Sequence, residues 1–211
     1  MTGVQELADR VERILGRGLP DPALRKLLAL ERLLADRGVA LGLISERDRP
    51  RILERHILDS LRAAGAAETG DRLAYDLGSG GGIPGLPLAI AVPELSITCV
   101  EARRNRVAFI ELAIDDLELR NARARPGRIE DLAQRVDLCF ARALKSAAES
   151  WRLAQPLLRP GGRLVYFGGK GFGGPDQLSP ELRDGPGTPQ VRVVEPSGLE
   201  SAGPLVIMGR P

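Results

Sequence analysis

The amino-acid sequence predicts an α/β fold: a mostly parallel sheet of seven strands, with helices on both faces, preceded by a helical N-terminal extension. Up to about Gly70 the apolar residues recur at helical spacing, and beyond it they form short runs separated by segments of helix length. Two further apolar runs close the chain. Such alternation is typical of parallel strands joined by crossover helices. We therefore expect an extension over residues 1–69 and a core domain over residues 70–211.

The N-terminal extension is predicted to contain three helices. Apolar side chains recur at helical spacing over Val4–Leu15 and over Pro22–Arg37. Gly38 stands where a helix C-cap is expected, and Pro50 stands in the first turn of a third helix that covers Ile52 to about Ala64.

The core is predicted to alternate strands with helices. Gly, Pro, Asp and Ser dominate between Gly171 and Pro189, which is typical of a mobile loop. Strands are expected at Leu73–Leu77, Ser96–Val100, Ala122–Arg125, Val136–Phe140, Arg163–Phe167, Val191–Glu195 and Leu205–Met208. Helices are expected to begin near Pro84, Arg103, Ile129 and Ser146.

The charge balance does not by itself indicate a nucleic-acid partner. The chain has 30 basic and 28 acidic residues, a net charge of +2. Arginine clusters can nevertheless form a local basic face, although most such clusters are solvated helix surfaces. They comprise Arg47, Arg49, Arg51 and Arg55; Arg103, Arg104 and Arg106; and Arg120, Arg123, Arg125 and Arg128.

The remaining composition favours a cytoplasmic protein. Cys99 and Cys139 both lie in apolar runs, so we expect reduced core residues and neither a disulfide nor a metal site. No apolar stretch reaches the roughly 18–20 residues that a membrane span needs, and the N-terminus is acidic where a signal peptide would be basic. The oligomeric state stays open, with a monomer as the expectation.

A glycine-rich turn follows the first predicted strand, over Asp76–Gly82. A strand, a glycine turn and a helix form the Rossmann-like arrangement that brings backbone close to a nucleotide-like ligand. The spacing differs from the dinucleotide pattern G-x-G-x-x-G, and the lysine of a phosphate-binding loop is missing. A nucleoside ligand without phosphates, such as S-adenosylmethionine, fits these departures.

Glu101 ends the next strand, about twenty residues beyond the turn, where a carboxylate can accept hydrogen bonds from two ribose hydroxyls. Enzymes that bind NAD use the same arrangement. The pair of signals therefore predicts a nucleoside ligand without identifying it.

Six segments of this chain together resemble the RsmG (GidB) family of ribosomal RNA methyltransferases, in the family's order and approximate spacing. The resemblance covers about Leu41 to Gly171. The segments are Arg55–Leu61 (RHILDSL), Asp76–Leu88 (DLGSGGGIPGLPL), Glu101–Phe109 (EARRNRVAF), Gly127–Glu130 (GRIE), Ala141–Leu144 (ARAL) and Gly169–Gly171 (GKG).

The resemblance implies a class I methyltransferase that transfers a methyl group from S-adenosylmethionine to N7 of a guanine in the 530 loop of small-subunit 16S rRNA. Gly78 and Ile83 would line the cofactor, Glu101 would hold its ribose, Ile129 and Glu130 would flank its adenine, and Arg142 would complete the pocket. With the rest of the turn, the cofactor-binding prediction comprises Asp76, Gly78, Ser79, Gly80, Gly82, Ile83, Glu101, Ala102, Ile129, Glu130 and Arg142.

The substrate candidates are His56, Asp59, Arg142 and Lys170. His56 and Asp59 are three residues apart and can share a helix face, which also suits a purely structural pair. Guanine N7 carries a lone pair and no proton, so the reaction needs no general base. Alignment alone can lower the barrier by roughly 7–11 kcal/mol, and we assign no catalytic acid or base.

Two departures from the family concern substrate contacts. Members commonly have Asn-Leu-Thr where this chain has Gly42-Leu43-Ile44, and a basic residue where it has Asn105. A small-molecule methyltransferase and a cofactor-binding scaffold with weakened activity therefore remain alternatives. NAD-dependent oxidoreduction is a more distant one, because the glycine spacing differs.

Overall fold

The computed structural model describes residues 3–169, 171–172, 188–196, 199 and 202–211. It contains a seven-stranded sheet in the order β3-β2-β1-β4-β5-β7-β6. Strands β1 to β5 pair in parallel, and β7 is antiparallel to both β5 and β6. The prediction of a mostly parallel seven-stranded sheet is therefore confirmed. The strands are β1 (Leu73–Leu77), β2 (Ser96–Glu101), β3 (Ala122–Pro126), β4 (Val136–Arg142), β5 (Leu158–Phe167), β6 (Gln190–Val194) and β7 (Leu205–Gly209).

Six α-helices surround this sheet in the described part of the chain. They are α1 (Gly3–Leu15), α2 (Asp21–Leu33), α3 (Asp59–Leu61), α4 (Gly85–Ala91), α5 (Arg104–Asp116) and α6 (Ala147–Ala154). None of them is long and apolar enough to cross a membrane. Ser146 caps α6. Its hydroxyl accepts the backbone N–H of Glu149, and the carboxylate of Glu149 accepts the backbone N–H of Ser146.

The third helix of the extension differs from the prediction of one regular helix. It consists of a 3-10 helix (Glu46–Arg51), a π-helical turn (Leu53–Leu58), α3 and another 3-10 helix (Arg62–Ala66). Pro50 lies inside the first segment and has no N–H to donate to a regular helix. A π-helical turn also follows α2, at Leu34–Gly38.

Two elements of the core differ from the prediction by more than two residues. The helix expected from Ile129 is a single 3-10 turn, Ile129–Asp131, after which the chain is extended at Leu132. Strand β5 begins at Leu158 and not at Arg163. The N–H of Gly161 donates to the carbonyl of Arg210, and the N–H of Arg210 donates to the carbonyl of Gly162, so the far end of the chain holds these glycines in the sheet.

Hydrophobic clusters cover both faces of the sheet. Successive residues of a strand point to opposite faces, and accordingly Ala74 belongs to one cluster and Tyr75 to the other. The first cluster joins α1, α2, α4 and α5, so the N-terminal extension packs against the helices of the core. The second contains Trp151 and Ala154 of α6. This packing brings the third helical segment of the extension to the carboxyl edge of the sheet.

Candidate active site

The carboxyl ends of the parallel strands carry the candidate site, which is where open α/β sheets bind ligands. Cavity A, of about 400 Å³, lies between the end of β2 and the turn after β3. Cavity B, of about 320 Å³, lies between the glycine turn and the extension, and cavity C, of about 590 Å³, lies between the extension and the end of β5. Ala143 lines all three cavities, so they lie next to one another along this edge of the sheet, and we call the three together the groove.

The glycine turn separates cavities A and B and is held by backbone hydrogen bonds. The N–H groups of Gly78 and Ser79 both donate to the carbonyl of Val100, at 2.9 and 3.0 Å. Gly78 has φ +70°, and a Cβ added there would lie 2.7 Å from Cδ1 of Leu144. Gly82 has φ +78°, and its Cβ would overlap the side chain of Leu86. Both positions therefore require glycine.

Asp76 stabilises the conformation of the glycine turn without lining a cavity. Its side chain is buried, Oδ2 accepts the N–H of Gly85 at 3.0 Å, and its backbone carbonyl accepts the hydroxyl of Ser79 at 2.9 Å. Burial raises the pKa of Asp76 to about 7, although the hydrogen bond from Gly85 opposes this shift. Neither Asp76 nor Gly82 is among the described residues that line the three cavities, whereas Ser79, Gly80 and Ile83 line cavity B.

Glu101 and Ala102 line cavity A at the end of β2. The buried Glu101 carboxylate accepts the N–H of Gly80 at 3.0 Å on Oε2 and the N–H of Arg103 at 2.9 Å on Oε1. Arg106 Nη1 lies 3.5 Å from Oε2. A carboxylate offers about four lone-pair sites, so Glu101 keeps acceptor capacity toward the cavity.

Ile129 and Glu130 form the opposite wall of cavity A. The N–H of Gly127 donates to the carbonyl of Glu101 at 3.1 Å, which fixes the turn that carries them beside β2. Ile129 is half-buried and Glu130 is exposed. The groove therefore brings Glu101, Ile129 and Glu130 together, as the sequence predicts.

Arg142 ends β4 and lies between cavities B and C. Nη2 donates to the carbonyl of Arg55 at 2.6 Å and lies 3.4 Å from Oδ2 of Asp59. The guanidinium also lies 5.8 Å from the ring centroid of Phe167. Four groups therefore surround Arg142: Arg55, His56 and Asp59 from one helical segment of the extension, and Phe167 from β5.

His56 receives a hydrogen bond from Arg142. The distance between Nη1 of Arg142 and Nδ1 of His56 is 3.1 Å. Arginine can only donate, so Nδ1 is the acceptor and the proton of the neutral imidazole is on Nε2. Burial lowers the pKa of His56 to about 4, and the charge of Arg142 adds to this shift while Asp48 opposes it.

Asp59 anchors Arg142 to the extension. Its Oδ1 lies 2.7 Å from Nη1 of Arg62, which also donates to the carbonyl of Gly203 at 2.9 Å. Both predicted substrate candidates of this helical segment, His56 and Asp59, therefore contact Arg142.

A family model described as rRNA small subunit methyltransferase G matches residues 23–173 of the chain. The protein of that name from Acidiphilium cryptum is 39% identical over 170 residues, covering 79% of this chain and 76% of the relative. The one from Ralstonia nicotianae is 36% identical over 205 residues, covering 93% and 91%. This chain belongs to the rRNA small subunit methyltransferase G family.

Solved structures share the fold of this family member. A SAM-dependent methyltransferase from Aquifex aeolicus superposes with a TM-score of 0.58 at 16% identity, covering 81% of this chain and 98% of the other. A methyltransferase from Geobacter sulfurreducens gives a TM-score of 0.56 at 17% identity, covering 92% and 93%. These likenesses show a Rossmann-like methyltransferase fold.

The segment that departs from the family pattern forms an apolar wall. Leu43 and Ile44 line cavity B, and Ile44 is 7% exposed and belongs to the first hydrophobic cluster. A Cβ added to Gly81 would lie 3.6 Å from Cβ of Leu43, so this segment packs directly on the glycine turn.

Several residues of the groove were not assigned a role by sequence reasoning. Asp48, Arg51 and Arg55 line it, and of these only the two arginines carried a signal, as part of a cluster. Ala143 has φ +51°, which no sequence pattern indicates for an alanine. The predicted substrate candidate Lys170 lies outside the described residues, as does most of the predicted loop between Gly171 and Pro189.

Proposed function

We propose that this protein transfers a methyl group from S-adenosylmethionine to N7 of a guanine in the 530 loop of small-subunit 16S rRNA. The observation that carries the proposal is the family match over residues 23–173, which contains the glycine turn, Glu101 and Arg142 that line one groove. S-adenosylmethionine supplies an electrophilic methyl group when it is bound.

The residues of cavities A and B fit this cofactor. Glu101 retains acceptor sites for ribose hydroxyls, and the half-buried Ile129 with Leu144 offers apolar surface for an adenine ring. The turn lacks a Cβ at Gly78 and Gly80, where the backbone borders cavity B. Asp76 and Gly82 act indirectly, by holding the conformation of the turn.

Cavity C fits a nucleotide of an RNA chain. Arg51, Arg55 and Arg142 line it together with Tyr166 and Phe167. Arg51 and Arg55 are 53% and 44% exposed, so their guanidinium groups can reach phosphates. This exposed basic lining favours RNA over a small-molecule substrate, which would need an enclosed pocket.

The protein contributes alignment to the reaction and does not need to remove a proton. Guanine N7 has an available lone pair, so the residues around Ala143 only have to hold the base in line with the methyl donor. Methylation places a positive charge on the guanine. Asp59 is the carboxylate among the described residues lining cavity C, and it can stabilise that charge while it holds Arg142.

The test is transfer of labelled methyl groups to unmodified small ribosomal subunits and to naked 16S rRNA, followed by mapping of the modified nucleotide. We expect label on guanine N7 in the 530 loop. Cofactor binding without labelling of either RNA substrate would contradict the proposal and would favour the small-molecule or scaffold alternatives.

The salt dependence of RNA affinity tests the phosphate contact that we propose for Arg51 in cavity C. RNA affinity should fall steeply as salt rises, and Arg51→Ala should reduce the slope of log affinity against log salt by about 1. Arg25→Ala is the matched control, because Arg25 is an exposed arginine on α2 paired only locally with Asp21. Equal slopes for both variants would exclude a phosphate contact by Arg51.

A further inference from the structure

The imidazole of His56 is held in one orientation and one tautomer. Its Nδ1 accepts from Nη1 of Arg142 at 3.1 Å, and Arg142 is fixed on its other side by Asp59 and the Arg55 carbonyl. The guanidinium therefore cannot turn away from the ring without losing both other contacts. Because Nδ1 is an acceptor, Nε2 carries a hydrogen that points away from Arg142.

This Nε2–H group is buried and has no hydrogen-bond partner among the described residues. The carboxylate nearest to it, Oδ2 of Asp48, is 4.0 Å away. Asp48 already accepts the Ser45 hydroxyl at 3.0 Å and pairs with Arg51 and Arg55 at 3.1 and 2.7 Å. A buried donor without a partner is destabilising, so this Nε2–H group is a candidate for binding a ligand.

His56 lines cavity B together with Gly78, Ser79, Gly80 and Gly81 of the glycine turn. If Glu101 holds the ribose and Ile129 borders the adenine in cavity A, the rest of the cofactor must pass Gly78 and Ala143 into cavity B. The part beyond the ribose carries the sulfonium and the amino-acid end. That end presents a carboxylate, which is an acceptor for an N–H donor.

We propose that His56 binds the α-carboxylate of S-adenosylmethionine through its Nε2–H group, with Arg142 as the positioning residue that fixes this tautomer. The assignment rests on the proposed function, because it takes the orientation of the cofactor from it. Arg106 also lines cavity B and is a second donor for the same carboxylate, while Asp48 complements the ammonium group.

The imidazole contributes a neutral hydrogen bond and not a full charge. Burial and Arg142 lower its pKa to about 4, with Arg55 and Arg51 adding to the shift and Asp48 opposing it. At neutral pH the donor is therefore present in nearly every molecule, and binding does not depend on protonating the ring.

Two substitutions separate the two nitrogens of the ring. His56→Asn keeps an oxygen acceptor near the position of Nδ1 but has no group that reaches the position of Nε2. His56→Gln places an amide N–H near the position of Nε2 but has no acceptor for Arg142 near the position of Nδ1. Calorimetric titration compares S-adenosylmethionine with 5′-methylthioadenosine, which has the adenosine and sulfur but lacks the amino-acid end.

We expect His56→Asn to weaken binding of S-adenosylmethionine on the order of tenfold or more and to leave binding of methylthioadenosine unchanged. His56→Gln should retain S-adenosylmethionine binding to within a few-fold. Circular dichroism of both variants checks that they fold.

Other outcomes separate this inference from the proposed function. If His56→Asn weakens both ligands equally, or neither, the carboxylate assignment is overturned. If the wild type binds S-adenosylmethionine with the expected dependence on His56 but labels no ribosomal RNA, the proposed function fails and the assignment stands. A wild type that does not bind S-adenosylmethionine overturns both.

Discussion

The cofactor end and the substrate end of the groove are built by different means. Around cavity A, many of the contacts are backbone hydrogen bonds between the glycine turn and the end of β2, such as those from Gly78 and Ser79 to Val100. Between cavities B and C, arginine side chains reach groups that are distant in sequence: Arg142 donates to the His56 ring, 86 positions away, and Arg62 donates to the Gly203 carbonyl, 141 positions away. The first end should therefore be sensitive to a Cβ added at Gly78, and the second should be sensitive to charge and side-chain geometry.

Gly78→Asp tests the cofactor end of the groove and should have the largest effect. The new Cβ would lie 2.7 Å from Cδ1 of Leu144 and the residue would have to adopt φ +70°, so either the Leu144 side chain, which also lines cavity A, or the turn must shift. We expect methyl transfer to fall by about 100-fold or more, since a displacement of about 1 Å at such a site has this consequence. The measurement is the initial rate of rRNA labelling, with cofactor affinity by calorimetry.

Gly16→Asp is the control for that substitution. Gly16 has φ +67° and nothing within 4 Å of an added Cβ, so it reproduces the backbone strain without the collision. Its variant should lose about 1 kcal/mol of stability and keep its activity. Comparable loss of activity in both variants would mean that backbone strain, and not the groove, explains the result.

The pH dependence of stability should have opposite signs at the two ends. Asp76 has its pKa raised from 3.8 to about 7, so the folded state holds a proton that the unfolded state releases, and this contribution increases stability as pH falls from 7 to 4. His56 has its pKa lowered from 6.5 to about 4, so its contribution is complete above 6.5 and is lost as pH falls toward 4.

Each contribution is on the order of 3–4 kcal/mol over that range. Urea unfolding from pH 4 to 7.5 measures it, with Asp76→Asn and His56→Asn each compared with the wild type. On acidification, the free energy of unfolding of the wild type should rise relative to that of Asp76→Asn. Relative to that of His56→Asn it should fall. Parallel curves for a variant and the wild type would exclude a titrating role for that residue.

Arg142→Lys tests whether the substrate end of the groove depends on side-chain geometry as well as on charge. Lysine keeps the positive charge near Asp59 but cannot donate to His56 and to the Arg55 carbonyl from one planar group. We expect transfer to fall roughly tenfold and stability to fall by about 1 kcal/mol. Arg25→Lys, at a pair that is 70% and 68% exposed, should change neither quantity measurably. An unchanged rate for Arg142→Lys would show that charge alone suffices.

Ala143→Gly concerns the point where the two ends meet and should have the smallest effect. Ala143 has φ +51°, so glycine should raise the free energy of unfolding by about 0.5–1 kcal/mol. Glu118→Gly is the control, because Glu118 is exposed, has φ +49° and lies away from the groove. Both should gain stability, and only Ala143→Gly should alter transfer. If neither variant changes the rate of methyl transfer, the conformation of Ala143 does not align the ligands.

Some elements of the fold follow from local sequence patterns and others do not. Strand β1 was predicted with its observed limits, because a short apolar run beside a glycine turn is a local pattern. Strand β5 starts earlier than predicted, because Leu158 pairs with Val136 and the two glycines before Arg163 pair with Arg210, contacts that no local pattern shows. The boundary between extension and core at residue 70 and the individual cofactor contacts stay predictions.

By itself, the sequence determined the order of helices and strands and the position of the glycine turn. Both follow from local physics: side-chain periodicity, and the positive φ angles that glycine adopts without strain. Only the tertiary structure decided that Arg142 meets His56 and Asp59, that Ala143 joins the three cavities, and that Asp76 supports the turn from behind. Contacts between charged residues far apart in the chain follow no sequence period, so packing of the extension against the sheet had to bring them together.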